Sequence, residues 1–126
     1  MMKKVVSTEK APAALGPYSQ ANIVGNLVFT SGMVPINPAD GTIPADVKSQ
    51  AAQSLNNVKA VLEAAGSSMD NVFKTTVFIK NMDDFGQINE VYATYFNGDF
   101  PSRSCVEVAR LPKDVLVEIE AIATLD

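Results

Sequence analysis

Three side chains towards the carboxyl end of the chain have the chemistry to bind and hydrolyse a small anion. Arg103 follows Pro101-Ser102 at the start of one β-rich run, and Glu118 and Glu120 flank Ile119 in the next. A guanidinium fork binds a carboxylate through two parallel hydrogen bonds, a task that Lys performs less well. A partly buried glutamate, whose pKa is raised by desolvation, can act as a base towards water. Glu118 is the stronger candidate because its neighbours are apolar and no Lys or Arg lies beside it. This chemistry requires no metal and no cofactor.

Each of these residues also has an ordinary structural interpretation. Arg103 could form a weak surface ion pair, and Glu107, Glu118 and Glu120 could be the solvated side of a hairpin. Whether Arg103 and Glu118 share a sheet face depends on register, because directly opposed residues point the same way. Their numbers sum to an odd value, so a regular hairpin would align them only around a loop with an even number of residues. A bulge or a neighbouring subunit could also bring them together.

Five further residues are weaker candidates. Cys105 alternates onto the same strand face as the arginine, although a lone cysteine in a β-run is usually a small buried hydrophobe. Asn89 interrupts an apolar helical face and needs hydrogen-bond partners, either structural or in a site. Tyr18 follows a Gly-Pro turn, where packing is the more common role. Ser31 and Gly32 end a strand, and the glycine allows close backbone approach.

Composition excludes several classes of function. The chain has 126 residues, of which 47% are apolar and 19% charged, and this predicts a single globular domain over residues 1–126. The net charge of −4 and the lack of a Lys/Arg cluster argue against a nucleic-acid partner. There is no histidine and one cysteine, so a zinc site and a His-activated nucleophile are not expected. The single cysteine and the absence of a long apolar run favour a cytoplasmic protein with no membrane partner.

Local patterns predict six strands and two helices. The expected strands cover residues 3–7, 19–24, 27–33, 72–79, 103–109 and 115–124, with a two-residue Gly25-Asn26 turn joining the second and third. Apolar positions at spacings of three and four predict a helix over 46–65, ended by Gly66. A second helix is expected to open at Asn81 and to end at Asn97-Gly98, with an apolar stripe formed by Phe85, Ile88, Tyr92 and Tyr95.

This order predicts an α+β fold: one two-layer domain with a mixed β-sheet and two helices packed on one face. In the last strand, one face is uniformly apolar. The other face carries Leu116, Glu118, Glu120 and Ile122 and is mixed in character. A mixed face is either solvated or shared with another subunit.

Five segments of the chain, in order, resemble the RidA family of enamine/imine deaminases, formerly called YjgF. The resemblance covers nearly the whole chain. The segments are Ala14–Ala21 (ALGPYSQA), Phe29–Gly32 (FTSG), Asn89–Tyr92 (NEVY), Pro101–Val106 (PSRSCV) and Leu111–Ala121 (LPKDVLVEIEA).

The resemblance implies a chorismate-mutase-like fold that forms a homotrimer with clefts between subunits. It implies hydrolysis of 2-iminopropanoate and 2-iminobutanoate, which pyridoxal-phosphate dehydratases produce, to 2-oxo acids and ammonia, without a cofactor. By resemblance, Arg103 would grip the substrate carboxylate and Glu118 would hold the attacking water. The residues that would line the pocket are Tyr18, Ser31, Gly32, Asn89 and Cys105.

The chemistry is compatible with so small a set of groups. A 2-imino acid carries its own anion, and a protonated imine is already a strong electrophile, so positioning and a modest base suffice. The alternatives are a non-enzymatic regulator that binds 2-oxo acids or a chaperone-like interaction protein, and an enzyme for a different carboxylate. Ribonuclease activity is less compatible with the acidic charge and the lack of histidine.

Overall fold

The computed structural model describes residues 2–126, which form one mixed sheet and two α-helices. The strands are β1 (Lys3–Val6), β2 (Ala21–Val24), β3 (Leu27–Thr30), β4 (Val72–Ile79), β5 (Ser102–Glu107) and β6 (Val117–Thr124). The helices are α1 (Val47–Ala64) and α2 (Phe85–Ala93). The predicted order of elements is confirmed.

The sheet has the order β1-β2-β3-β6-β4-β5. Only β4 and β5 pair in parallel, and every other neighbouring pair is antiparallel. The β2–β3 hairpin turns at Gly25-Asn26, where Gly25 has a φ of 59°. A positive φ suits glycine, as the turn prediction required.

The long helix α1 is fixed at both ends by local hydrogen bonds. The Asp46 carboxylate accepts from the backbone N–H of Ser49 at 3.0 Å, which satisfies one of the unpaired donors of the first turn. At the other end Gly66 has a φ of 88°, and the Ser67 N–H donates to the Leu62 carbonyl at 2.8 Å. This is the Schellman arrangement predicted by the position of the glycine.

Both helices pack on one face of the sheet, and the main core lies between the layers. Along β6, Val117, Ile119, Ala121 and Ala123 are buried, while the residues between them are half-buried. Burial of each large apolar side chain stabilises the fold by roughly 1.5–3 kcal/mol. The core therefore fixes which residues of β6 point towards the helices. Glu118 and Glu120 alternate with these residues and so point to the sheet face away from the helices.

Strand β3 is shorter than predicted because a bulge interrupts it. Phe29 pairs with Ile122, and pairing resumes at Met33 with Ile119, so β3 advances four residues while β6 advances three. At the interruption the Thr30 hydroxyl, rather than a backbone carbonyl, accepts from Ala121 N–H at 3.0 Å. The extra residue falls in the Ser31-Gly32 segment, next to the predicted site. Bulges commonly redirect side chains in this way.

The second helix also differs from the prediction. The Asn81 side chain caps a 3₁₀ turn at Met82–Asp84 rather than opening the α-helix directly. The helix ends at Ala93, before Asn97-Gly98. Neither helix has the length and apolarity needed to cross a bilayer within the described residues.

Candidate active site

The question of register that the sequence left open is answered by the sheet order. β4 lies between β5 and β6, so those two strands do not form a hairpin. Arg103 is level with Thr75 of β4, whereas Glu118 is level with Phe78. Residues three apart on a strand point to opposite faces, so Arg103 points to the helix side and Glu118 away from it. A single chain does not bring the two together.

The Arg103 side chain is held against helix α2. Its Nη1 donates to Asn89 Oδ1 at 2.7 Å. The guanidinium carbon lies 4.9 Å from the ring centroid of Tyr92 and 5.3 Å from that of Phe85, within the range of cation–π attraction. These contacts orient the fork, which borders a cavity of about 300 Å³ that Phe100 and Ala93 also line.

No carboxylate among residues 2–126 forms an ion pair with Arg103. The ion pairs found over residues 2–126 are Lys48 with Glu90 and Arg110 with Asp114, and both are exposed. An amide oxygen and aromatic rings stabilise a cation without cancelling its charge. The guanidinium therefore retains the charge and the N–H groups needed to bind an anion.

Cys105 lies on the same sheet face as Arg103, as predicted, and is half-buried. Burial raises the pKa of its thiol, and the nearby arginine opposes that shift only in part. The thiol is therefore protonated near neutral pH, which does not suit a nucleophile. Cys105 packs against the main core and is not among the residues that line the cavity beside the guanidinium.

Glu118 lies in a second cavity, of about 570 Å³, on the other face of the sheet. Burial raises the pKa of its carboxyl group, and the neighbouring Glu120 raises it further. The carboxylate lies directly over Gly32: a Cβ at that position would approach the Glu118 Cδ to 2.7 Å and overlap an oxygen. The bulge thus places Gly32, which has no side chain, at the position where the Glu118 carboxylate needs space.

Hydrogen bonds hold the loop that covers the Glu118 cavity. The Ser31 hydroxyl donates to the Ser19 carbonyl at 2.6 Å, and the Tyr18 hydroxyl accepts from Leu15 N–H at 3.0 Å. Buried Gln20 donates to the carbonyls of Thr8, Ala11 and Pro12 and accepts from the Thr8 N–H. The predicted Tyr18 and Ser31 thus line the cavity and also shape it.

The predicted residues therefore form two half-sites. The arginine half-site consists of Arg103, Asn89 and Cys105 with the α2 aromatics, and the glutamate half-site of Glu118, Glu120, Gly32, Ser31 and Tyr18.

Sequence analysis did not assign Phe85, Tyr92 or Gln20 to the site. The first two, spaced four and three residues from Asn89 on α2, were interpreted as an apolar core stripe. Their spacing was the available signal, since it puts all three on one helix face. Gln20 had no signal of its own, because only the fold reveals that it is buried.

The rest of the described structure offers no candidate metal site, and a further cavity lacks the chemistry of the two half-sites. No group of three or more acidic, cysteine or histidine side chains suited to a metal occurs in the part of the chain that the structure describes. A cavity of about 820 Å³ lies between the 8–20 loop, β1 and the 36–41 loop. Glu9 is the one charged residue in its described lining, and the walls are mainly apolar.

The two-layer α+β fold is shared with several small proteins of known structure. The crystal structure of the Escherichia coli YjgF gene product superposes with a TM-score of 0.94 at 55% identity, covering 98% of this chain and 99% of that one. Escherichia coli TdcF with bound serine superposes with a TM-score of 0.93 at 53% identity, covering 96% and 98%.

Sequence comparisons define the family. A family model described as Endoribonuclease L-PSP matches residues 8–125. The 2-iminobutanoate/2-iminopropanoate deaminase of Escherichia coli K12 is 57% identical over 125 residues, covering 97% of this chain and 98% of that protein. A RutC family protein of Haemophilus influenzae is 58% identical over 127 residues, covering 98% of each. The chain belongs to the Endoribonuclease L-PSP family, which includes these RidA/YjgF proteins.

Proposed function

We propose that this protein hydrolyses 2-imino acids, such as 2-iminopropanoate and 2-iminobutanoate, to 2-oxo acids and ammonia without a cofactor. The observation that carries the proposal is the unneutralised guanidinium of Arg103, which is oriented by Asn89 and faces a cavity. Such a group selects a small carboxylate. The similarity to a curated deaminase at 57% identity adds the reaction.

The complete site is formed between two copies of the chain. Arg103 and Glu118 point to opposite faces of one sheet, so the arginine half-site must meet the glutamate half-site of a neighbour. A heterologous contact closes into a ring when its rotation allows. The family resemblance implies three subunits, and we infer a homotrimer with three equivalent sites. Both half-sites then contribute to each cleft.

The sheet face away from the helices is suited to such an assembly. It carries Phe29 and Val106, whose side chains are 40% and 43% exposed, together with half-buried Phe78 and Ile122. No helix of the described chain covers this face. Phe29 pairs with Ile122 and Val106 with Phe78, and Glu120 lies between these two apolar pairs. A face of such mixed character is common at interfaces between proteins.

In the reaction, Arg103 binds the substrate carboxylate and fixes the C=N carbon beside a water held by Glu118 of the neighbour. Water adds to that carbon while Glu118 accepts one of its protons, and a carbinolamine forms. Glu118 then returns its proton to the carbinolamine nitrogen, the C–N bond breaks and ammonia leaves. The C=O bond of the 2-oxo acid forms as the hydroxyl gives its proton to Glu118, which passes it to ammonia or water. Because the pKa of Glu118 is raised, it lies nearer to neutral pH, where a general base is most effective.

The remaining residues shape the cleft. Gly32 gives the carboxylate and its water room, while Tyr18 and Ser31 hold the covering loop. Asn89 lines the cavity beside the guanidinium, and Cys105 lies behind it on the same face of the sheet. We place the protein in the cytoplasm, where a single cysteine without a disulfide partner in the chain is stable as a free thiol.

The test couples the purified protein to a pyridoxal-phosphate threonine dehydratase and follows ammonia release. Wild-type protein is expected to accelerate release beyond the dehydratase alone. Arg103→Ala and Glu118→Gln should each reduce that added rate about 10²–10⁴-fold, the usual contribution of a single positioned group. Arg110→Ala, which removes an exposed arginine elsewhere, is the matched control and should retain the wild-type rate.

Two outcomes would contradict the proposal. A wild-type rate in Arg103→Ala would exclude the carboxylate clamp. The second outcome is that the wild-type protein binds 2-oxobutanoate through Arg103 but does not accelerate ammonia release. That result would indicate a non-enzymatic regulator.

A further inference from the structure

The guanidinium of Arg103 is oriented by neutral groups in the described chain. One N–H donates to Asn89 Oδ1 at 2.7 Å, and the guanidinium carbon lies over the rings of Tyr92 and Phe85, 4.9 and 5.3 Å from their centroids. An arginine partly buried beside a helix would normally be paired with a carboxylate. Here a carboxylate partner would occupy the N–H groups and cancel the charge that a substrate anion needs.

The Tyr92 ring is itself fixed by a buried hydrogen bond. Its hydroxyl lies 2.7 Å from the hydroxyl of Thr75, and these residues are 5% and 2% exposed. Thr75 is the residue of β4 that pairs in register with Arg103 of β5. A closed circuit of contacts therefore runs from Arg103 to Thr75 across the sheet, to Tyr92 on α2, to Asn89 one turn earlier, and back to Arg103.

We propose that Tyr92 is a positioning residue for Arg103 and that Thr75 anchors it. This inference rests on the proposed function of Arg103 as the carboxylate clamp. The ring face sets the plane of the guanidinium, Asn89 fixes its rotation within that plane, and the remaining N–H edge is presented to the substrate. A phenylalanine would fill the same space, so the buried hydroxyl serves to fix the ring rather than to pack it.

The proposal is tested by measuring the binding of 2-oxobutanoate by calorimetry together with steady-state imine hydrolysis. Tyr92→Leu, which removes the ring, is expected to weaken 2-oxobutanoate binding about 5–30-fold, the range of a desolvated cation–π contact. Tyr92→Phe and Thr75→Val remove the same hydrogen bond and should each weaken binding about 2–5-fold. The double variant should be no weaker than either single variant, because both remove one interaction.

Specific readouts separate positioning from a merely structural role. KM should rise with kcat nearly unchanged, because Glu118 is untouched, and the preference for 2-oxobutanoate over its uncharged amide should shrink. Tyr95→Phe is the matched control: its hydroxyl bonds Ala52 and Asn56, away from the arginine. That variant should bind both compounds as the wild type does.

The outcomes distinguish this inference from the proposed function. If Tyr92→Leu folds and keeps the wild-type preference for the carboxylate while Arg103→Ala loses it, the clamp stands and the role of Tyr92 is wrong. If Tyr92→Leu fails to fold, wild-type binding and KM in both Tyr92→Phe and Thr75→Val would overturn the inference. If Arg103→Ala itself binds normally, the proposed function fails first.

Discussion

The two half-sites achieve precision by different means. In the arginine half-site a long, flexible side chain is held by other side chains, namely an amide oxygen and two rings on α2. In the glutamate half-site the backbone does this work, because a bulge in β3 places Gly32 against the Glu118 carboxylate. A flexible cation thus needs several contacts to become oriented, whereas a short acid needs mainly the right space.

The sharpest test of this difference is Gly32→Ala. The new Cβ would overlap the carboxylate and displace it, and a displacement of about 1 Å can cost about 10²-fold in rate. Because the displaced group is the end of a flexible side chain, stability should change little. Steady-state kinetics and thermal unfolding of the same preparation check both expectations.

Gly86→Ala is the control for that variant, since a Cβ there meets no atom within 4 Å. It should keep its activity and be as stable as the wild type or slightly more so, because alanine favours a helix. Wild-type activity in Gly32→Ala would show that the glutamate does not need its observed position.

Arg103→Lys examines the other half-site. Lysine keeps the charge but loses the planar fork, the Asn89 contact and the ring stacking. The expected loss in kcat/KM is about 10–100-fold, the value of one strong charge-assisted hydrogen bond. Arg110→Lys, at an exposed ion pair with Asp114, should show no loss. Equal activities for Arg103→Lys and wild type would reduce the clamp to a simple point charge.

A smaller effect is expected from Glu120→Gln. The proposed mechanism needs Glu118 ionised, so activity falls as pH drops through the pKa of that group. Burial and then Glu120 raise this pKa, which places the acidic limb of the kcat/KM profile above the pH expected for an ordinary glutamate. Removal of the Glu120 charge should move the limb to lower pH, while Glu63→Gln, on exposed α1 surface, should leave it in place. A limb that moves upwards in Glu120→Gln would contradict this assignment.

Much of the fold was accessible from local patterns, and the site was accessible only in part. The α1 helix, its Gly66 terminus and the Gly25-Asn26 turn depend on short-range interactions, and their prediction is confirmed. The insertion of β4 between β5 and β6 is a long-range choice that no local pattern encodes. The relation of Arg103 to Glu118 depends on that choice, so sequence could name both residues but could not place them on opposite faces.

The β3 bulge and the contact between Tyr92 and Arg103 could not be predicted from the sequence, because both depend on long-range packing. At the bulge the Thr30 hydroxyl takes the place of a backbone acceptor, and this bond joins residues 91 positions apart in the chain, so no local pattern indicates it. The prediction that Tyr92 lies on the apolar face of α2 is confirmed. An aromatic residue at that spacing is expected both in the core and beside a site residue, so the pattern does not distinguish the two roles. Only the folded structure shows that Arg103 lies next to the Tyr92 ring.

The most direct test of the shared site is to mix two inactive chains. Arg103→Ala and Glu118→Gln chains carrying different tags are coexpressed, and mixed oligomers are isolated through both tags. In a cyclic trimer of either mixed composition one cleft receives both intact residues, so the activity should recover to roughly a third of the wild-type value. Mixed trimers as inactive as the two parents would contradict a site shared between chains.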